Sequence, residues 1–331
     1  MRHSYISRFR RILPIPYLAI DLGTANTRVY ALGKGLIAEN PSVVQREPGE
    51  TRFPVRTGDG CAERDAYLLP VRSGVVIDVD AAVALLQPLI RRAQRFGLLR
   101  PRGIVCLPTG ARQSEREALV EAARRCGVSV LAVAPEPLAA ALGGGLRVDS
   151  AYAQMLVDIG GGVTDIAVIR SGRIIHSRAI RTACGDLQSA IIQEVATCHG
   201  VQLPLREAER LVREVGARPE STAACCHIAR GVGAGGLSAI VRLDHAELRE
   251  ILDPVFDTIV RGIFNFLRDL PPVAAAEVIE DCIWLTGGGA CLRGMPERIA
   301  EVTTLEVRLV SDPMHAVING AARMLSAAAL A

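Results

Sequence analysis

The stretch AIDLGTANTRVYAL, residues 19–32, places a carboxylate, Asp21, at the end of an apolar run. A glycine turn, Leu-Gly-Thr-Ala-Asn, follows at once, and a second apolar run begins after it. Two apolar runs joined by turn residues predict a β-hairpin. A buried strand that ends in a charge beside a glycine turn needs a physical reason, because a buried charge is costly without a partner.

The same arrangement recurs in MLVDIGGGVTDIAVI, residues 155–169, where an apolar strand, Asp158, a glycine turn and a second β-branched strand follow one another. Glycines let a turn approach a ligand closely and direct backbone N–H groups toward it. A carboxylate beside such a turn repels phosphate unless a divalent cation lies between them. One copy alone favours an ordinary hairpin, but two copies in matching halves favour a clamp for Mg²⁺ and phosphate built on Asp21 and Asp158.

A third glycine turn lies in IWLTGGGACLRGMP, residues 283–296, after an apolar strand and before a helix. That setting suits close approach by the sugar, base or α-phosphate of a nucleotide. Residues 231–236, GVGAGG, match GxGxxG, but the LSAIVRL that follows is strand-like, so we predict a loop and no dinucleotide site. The sequence has no GxxxxGK[ST] motif, which excludes a P-loop.

Length and composition narrow the class of protein. With 331 residues, 50% of them hydrophobic, the chain is long enough for two domains. Strand-like and helix-like runs alternate along it, which is typical of an α/β fold. A net charge of only +3 disfavours a nucleic-acid partner. Nine cysteines without a CxxC pair favour reduced thiols in the cytosol and disfavour a zinc site.

Residues 1–16 predict an amphipathic helix with a cationic side, ended by prolines. Its apolar side chains include Ile6, Phe9, Ile12 and Leu13. An anionic membrane surface is the favoured partner, and the alternative is a tail that packs on the protein's own body or stays disordered. No apolar run is long enough to span a bilayer and no signal-like segment follows the first charges, so we expect a protein that is neither exported nor transmembrane.

Seven segments, taken in order, carry a resemblance to a known family. They are DLGTANTRVY, GKGLIAENPSVV, VCLPTGARQSEREAL, PEPLAAALGGGL, DIGGGVTDIAV, LTGGGACLRGMPERIA and DPMHAVINGAARML. From Tyr17 onward the chain resembles the bacterial actin-like proteins of the MreB group. Sugar kinases and heat-shock chaperones share the hairpins but lack NPSVV and PEPLAAALGGGL as a set. The resemblance implies an α/β, actin-like ATPase fold with two related domains around a nucleotide cleft.

The resemblance also implies a function and a domain plan. The implied activity is ATP-dependent polymerisation into membrane-attached filaments that organise cell-wall synthesis and cell shape, with ATP and Mg²⁺ as cofactors. The implied partners are further copies of the chain, the inner face of the cytoplasmic membrane and the wall-synthesis machinery. We expect a cytoplasmic protein, peripheral to that membrane. Domain I is expected at residues 17–143 and 315–331, with a reduced subdomain IB near 43–74, and domain II at 144–314.

Site residues follow from the same resemblance. Asp21 and Asp158 match the magnesium-side carboxylates. The residues that match nucleotide-binding positions are Thr24, Ala25, Asn26, Gly160, Gly161, Gly162, Glu209, Gly287, Gly288, Gly289 and Ala290. Glu136 matches the acid that orients the attacking water, and Thr164 is the retained threonine of the second loop. The alternative for Glu136 is an exposed turn acid between two prolines.

Three departures from the family pattern leave the activity open. Val163 stands where the family usually has the first threonine of the second loop, which removes a hydroxyl beside Glu136. Val212 stands where the family has a lysine, and the region between Ser42 and Val75 looks several residues shorter. The chain is therefore either an ATP-hydrolysing filament protein or a divergent, non-hydrolysing scaffold with weak or no ATPase activity.

Residues 95–102, RFGLLRPR, offer Leu98 and Leu99 in a loop with arginines on both sides. This loop coincides with the apolar membrane-insertion loop of the family that the chain resembles. A core turn is the alternative. One copy would attach weakly to a membrane, but a filament that presents many copies on one face would bind with avidity.

Overall fold

The computed structural model describes residues 15–45, 67–93, 99–217 and 226–330. The N-terminal helix predicted around Ile6, Phe9, Ile12 and Leu13 lies outside these ranges. Leu98 and most of the predicted subdomain IB also lie outside them. None of the helices in the described ranges combines the length and apolar character needed to cross a bilayer.

Sixteen strands are formed within the described ranges. They are β1 (Tyr17–Leu22), β2 (Asn26–Ala31), β3 (Gly35–Pro41), β4 (Val44–Gln45), β5 (Tyr67–Leu68), β6 (Val71–Arg72), β7 (Val75–Val76), β8 (Arg102–Leu107), β9 (Ser129–Pro135), β10 (Gln154–Ile159), β11 (Thr164–Arg170), β12 (Arg173–Ile180), β13 (Cys226–Val232), β14 (Ser238–Asp244), β15 (Ile283–Thr286) and β16 (Val307–Leu309). Strands β13 and β14 form a separate hairpin, and a strand follows GVGAGG as predicted. The segment is not wholly a loop, because Gly231 and Val232 end β13 and Ala234–Gly236 form a short 3₁₀ turn.

Nine α-helices lie between or after these strands in the described ranges. They are α1 (Val79–Ala93), α2 (Gln113–Arg125), α3 (Glu136–Gly144), α4 (Cys184–His199), α5 (Leu205–Val215), α6 (His245–Arg268), α7 (Pro272–Glu280), α8 (Met295–Thr303) and α9 (Ala316–Leu330). The alternation confirms the predicted α/β class.

Two five-stranded sheets share one topology. Their strand orders are β3-β2-β1-β8-β9 and β12-β11-β10-β15-β16. In each sheet the three strands that come first along the chain, β1 to β3 and β10 to β12, form an antiparallel meander. The other two strands run parallel to β1 in the first sheet and to β10 in the second. The repeat inferred from the two Asp-glycine hairpins is therefore a repeat of the whole sheet.

Each sheet has its own apolar core because its central strands are buried on both faces. All but the first residue of β1 and of β10 are buried. Leu85, Leu89 and their neighbours on α1 pack into the core of the first sheet. Phe256, fully buried on α6, packs in the larger core of the second sheet. Two separate cores explain why the chain folds as two related units.

Helices α3 and α9 cross between the two sheets with almost no side chain separating their backbones. A Cβ built on Gly143 would overlap the carbonyl oxygen of Ala316, and one built on Gly320 would overlap that of Ala139. Ala139 packs in a cluster with β1 and α9, whereas the next residue, Ala140, packs against strands of the second sheet. Glycine at both crossing points therefore lets one helix contact both units.

We expect Gly320→Ala to lower the free energy of unfolding by about 1 to 3 kcal/mol, because its Cβ meets backbone that cannot move aside. In an open helix the same change would stabilise by about 1 kcal/mol. Urea unfolding measures the difference. The control is Ala327→Ser at an exposed position of the same helix, expected to stay within about 0.5 kcal/mol. A stabilised Gly320→Ala protein would contradict the close crossing.

Candidate functional site

Asp21 and Asp158 occupy the same position in the two sheets. Asp21 lies in β1 opposite Arg28 of β2, and Asp158 lies in β10 opposite Asp165 of β11. The three aspartates are 6%, 7% and 1% exposed, in the order Asp21, Asp158, Asp165. Glu136, the first residue of α3, is partly buried, so it is not the exposed turn acid of the alternative interpretation. The strand ends thus carry the predicted carboxylates into the interior.

Burial raises the pKa of all four carboxylates, and for Asp158 and Glu136 the neighbouring aspartates add to the rise. Burial raises the pKa of Asp158 to about 7, and the charges of Asp165 and Asp21 add to the effect. Burial raises the pKa of Asp165 to about 6, although hydrogen bonds from Thr109 oppose the rise. The pKa of Glu136 is raised well above its ordinary value by burial and then by the three aspartates. Such a cluster favours protons or a bound cation over four free negative charges.

The two predicted phosphate loops contact each other. A Cβ built on Gly161 would lie 2.7 Å from the Cβ of Ala25, and one built on Gly162 would overlap the hydroxyl of Thr24. That hydroxyl accepts a hydrogen bond of 2.9 Å from the backbone N–H of Gly74. Glycine is therefore required in the second loop, because any side chain would separate the hairpins.

The N-terminus of α4 is hydrogen-bonded to the second loop. The backbone N–H of Cys184 donates to the carbonyl of Gly160 at 3.2 Å, and that of Gly185 donates to the carbonyl of Gly161 at 2.7 Å. In the first loop the N–H of Gly23 donates to the carbonyl of Asn26 at 3.1 Å. These bonds fix both turns before any ligand binds.

The third glycine turn lies beside Asp158. Strand β15 runs parallel to β10 with Thr286 paired to Asp158, so Gly287 follows at once. Gly287 has φ 85°, and a Cβ on it would overlap the Asp158 carboxylate. Gly288 is exposed, whereas Gly289 and Ala290 are buried. The predicted nucleoside turn and the predicted cation ligand are therefore neighbours.

Helix α5 carries Glu209 at the edge of its buried stripe. Its carboxylate pairs with Arg213 one turn along the helix. Burial raises the pKa of Cys184 to about 12, and the charges of Asp158 and then Glu209 add to that rise. Val212 is 2% exposed and belongs to the core of the second sheet. The position expected to lack a lysine contact is therefore a core position, and the loss of a nucleotide contact there stays a prediction.

Val163 and Thr164 do not present a free hydroxyl to the loops. The Val163 side chain is 7% exposed and lies close to Gly74. Thr164 is fully buried, and its hydroxyl donates a hydrogen bond of 2.8 Å to the carbonyl of Thr182. That hydroxyl is therefore already engaged in a hydrogen bond. The catalytic role of Thr164 stays a prediction.

Asp165 and Thr109 are site residues that the sequence patterns did not single out. Thr109 follows β8 of the first sheet, and its N–H donates to Asp165 of the second sheet at 2.6 Å. The Thr109 hydroxyl donates to the other carboxylate oxygen of Asp165. Aligning the two hairpins could have identified Asp165 as a site residue, because it stands where the first hairpin has Arg28. This pair joins the two units across the site.

The donor set suits a hydrated magnesium ion. Within the described ranges, no three His, Cys, Asp or Glu side chains are grouped so that they could hold a metal. Mg²⁺ is bound by one or two carboxylates together with water and substrate phosphates, and it does not need a cage of protein ligands. Asp21 and Asp158 beside two glycine loops fit that requirement.

Two sheets of identical order around a cleft lined by paired hairpins define an actin-like protein. A family model described as MreB/Mbl protein matches residues 16–330. The cell shape-determining protein MreB of Escherichia coli (strain K12) is 33% identical over 321 residues, which cover 93% of this chain and 92% of that protein. The chain therefore belongs to the MreB/Mbl family.

Solved structures agree with this assignment. The crystal structure of MreB 5 of Spiroplasma citri bound to AMPPNP has a TM-score of 0.85 and is 25% identical, covering 96% of this chain and 98% of that chain. The MamK double helical filament, 22% identical, has a TM-score of 0.77 and covers 94% of this chain and 98% of that one. The MamK comparison shows the fold alone. Both the predicted family and the predicted actin-like fold are confirmed.

Proposed function

We propose that this chain binds ATP with Mg²⁺ between its two sheets and polymerises into filaments on the inner face of the cytoplasmic membrane. There the filaments would act with the wall-synthesis machinery to organise cell-wall synthesis and cell shape. The observation that carries the proposal is the pair of Asp-glycine hairpins whose loops contact each other. We further propose domain I at residues 17–143 and 315–331 and domain II at 144–314, each built on one sheet.

Each part of the proposed site has a separate role. Asp21 and Asp158 would hold the cation, which in turn neutralises the phosphate charge beside them. Backbone N–H groups of the two loops would bind phosphate, the loops being Thr24, Ala25, Asn26 and Gly160, Gly161, Gly162. The turn Gly287, Gly288, Gly289 and Ala290 would contact the nucleoside, and Glu209 the ribose. The chain's similarity to a nucleotide-bound structure of MreB 5 supports this arrangement.

We expect ATP affinity to depend on Mg²⁺ and Asp158→Asn to weaken it at least tenfold, because one of two cation ligands is lost. Isothermal calorimetry with and without excess EDTA measures both effects. Asp149→Asn removes an acid at an exposed position away from the loops, and it should bind like the parent. Equal affinity of the Asp158→Asn protein and the parent would refute the clamp.

A scaffold that binds ATP without efficient hydrolysis is the second candidate, and it is favoured by Val163 and Thr164. Binding needs loops and cation ligands, whereas turnover also needs a group that positions water. Val163 brings no hydroxyl to the site, and the Thr164 hydroxyl is engaged by Thr182. The remaining group with the right chemistry is Glu136.

We expect Val163→Thr to raise the rate of phosphate release roughly tenfold, because it restores a hydrogen-bonding group of similar size. Val163→Ala is the matched control, since it changes the side chain without adding a hydroxyl. Glu136→Gln should lower any residual rate. Phosphate release under single-turnover conditions measures all three, and equal rates in the parent, Val163→Thr and Glu136→Gln would contradict the assigned roles.

Membrane attachment rests on two sequence segments, and of their predicted apolar anchor residues the structure describes only Leu99. Leu99 is partly buried and lies between α1 and β8. Leu98 and the apolar residues of the N-terminal segment lie outside the described ranges. Each such side chain contributes about 1 to 3 kcal/mol when it enters an apolar phase, so several copies on one filament would attach firmly.

We expect assembled protein to sediment with anionic liposomes. Deletion of residues 1–13 together with Leu98→Ser and Leu99→Ser should release it, because both apolar anchors are then lost. Leu131→Ser, at a leucine of β9 that is 42% exposed, is the control and should sediment like the parent. Co-sedimentation that the combined change leaves intact would exclude these segments as anchors.

A further inference from the structure

Arg28 connects the predicted cation ligand to a second acid. The strand register places Asp21 opposite Arg28, and Arg28 opposite Glu39, in one row across β1, β2 and β3. Nη1 of Arg28 lies 3.5 Å from Oδ2 of Asp21, and Nε donates to Oε1 of Glu39 at 2.9 Å. Arg28 is only 8% exposed. A buried guanidinium is therefore shared between two carboxylates.

Glu39 is itself held from the other side. Its Oε2 lies 3.2 Å from Nε2 of His315, and Nδ1 of His315 lies 2.8 Å from Oδ1 of Asp312. The side chain of Glu39 is more exposed than that of Asp21, at 37% against 9%. Glu39 is therefore an anchored partner that draws Arg28 away from Asp21 toward the edge of the sheet.

The charge of Arg28 matters because the surrounding cluster is acidic. Burial raises the pKa of Asp21, Arg28 lowers it, and Glu39 raises it further. Arg28 also lowers the pKa of Asp158. At the corresponding place of the second hairpin the chain has an acid, Asp165. The positive charge at this strand position is thus specific to the first hairpin.

We propose that Arg28 is a resident counter-ion that shares Asp21 with the divalent cation, and that Glu39 limits how strongly it does so. The inference rests on the proposed nucleotide function. A guanidinium beside Asp21 lowers the negative potential that attracts Mg²⁺, so more Mg²⁺ is needed for nucleotide binding. The carboxylate of Glu39 partly cancels that effect. Arg28 and Glu39 are then positioning residues that set the Mg²⁺ requirement.

Changing the two partners should shift the Mg²⁺ requirement in opposite directions. Arg28→Leu removes the counter-ion, so the free Mg²⁺ concentration at half-saturation of ATP binding should fall roughly threefold to tenfold. Glu39→Gln leaves the whole charge of Arg28 with Asp21, so half-saturation should rise by a similar factor. Arg28→Lys keeps the charge and should stay near the parent. A merely structural role would weaken binding in every variant.

The measurement is a Mg²⁺ titration of a fluorescent ATP analogue at fixed concentration, with the Mg²⁺-dependent rise in melting temperature as a second readout. The control is the exposed ion pair of Glu306 and Arg308, in which Nε of Arg308 lies 2.7 Å from Oε1 of Glu306. Arg308→Leu and Glu306→Gln should leave half-saturation unchanged.

Two failures are distinguishable. A parent protein that shows no Mg²⁺-dependent ATP binding refutes the proposed function itself. A parent that binds, with Arg28→Leu and Glu39→Gln shifted in the same direction or not at all, overturns the role of Arg28. If a urea titration shows that the Arg28→Leu protein is not folded, the Glu39→Gln variant tests the proposal alone. Its free Mg²⁺ concentration at half-saturation must then rise for the proposal to stand.

Discussion

The site depends on a single electrostatic constraint, the burial of four carboxylates at the strand ends of two sheets. Burial raises the pKa of all four, the neighbouring aspartates add to the rise at Asp158 and Glu136, and the Arg28 guanidinium opposes the rise at the two predicted cation ligands. Burial of unpaired charge is among the most costly events in folding. Under the proposed function, binding of a cation would therefore stabilise the fold and prepare the site for phosphate in the same event.

Glycines that pack without a side chain of their own determine how closely the two units approach. Gly161 and Gly162 bring the second loop against Ala25 and Thr24, and the crossing of α3 and α9 brings backbone onto backbone at Gly320. Asp165 adds a polar connection through Thr109. The distance between the hairpins is thus set by groups that cannot be displaced by rotamer changes, which keeps the two predicted cation ligands in register.

Local patterns predicted much of this arrangement because their causes are local. Apolar runs that end in an aspartate and a glycine turn are sufficient to predict both hairpins and the third turn. The helical spacing of Ala208, Leu211, Val212 and Val215 could also have shown that Val212 is a core residue. The sequence did not reveal the contact of Asp165 with Thr109, because 56 positions separate the two and no periodicity records a contact between sheets.

The sequence also could not predict the direction in which a side chain points at a strand end. Thr164 and Asp165 are neighbours in β11, and a strand directs adjacent side chains to opposite faces. The sequence does not say which face meets the cleft. In the structure Asp165 reaches Thr109 of the other unit, while Thr164 turns to the carbonyl of Thr182. The motif therefore fixed the identities of the loop residues but left their roles open.

Nucleotide binding and hydrolysis make separable demands on such a site. Binding requires ligands for a cation and N–H groups for phosphate. In the proposed site Asp21 and Asp158 would supply the first, and the main-chain turns would supply the second. Hydrolysis additionally requires a base that can accept a proton from water. Burial, and then the charges of the three aspartates, raise the pKa of Glu136, and a bound cation would oppose that rise by offsetting those charges. The cation that would complete the proposed binding site would therefore also set the basicity of Glu136. Arg28, in the role proposed for it, would act on both by weakening the attraction for that cation.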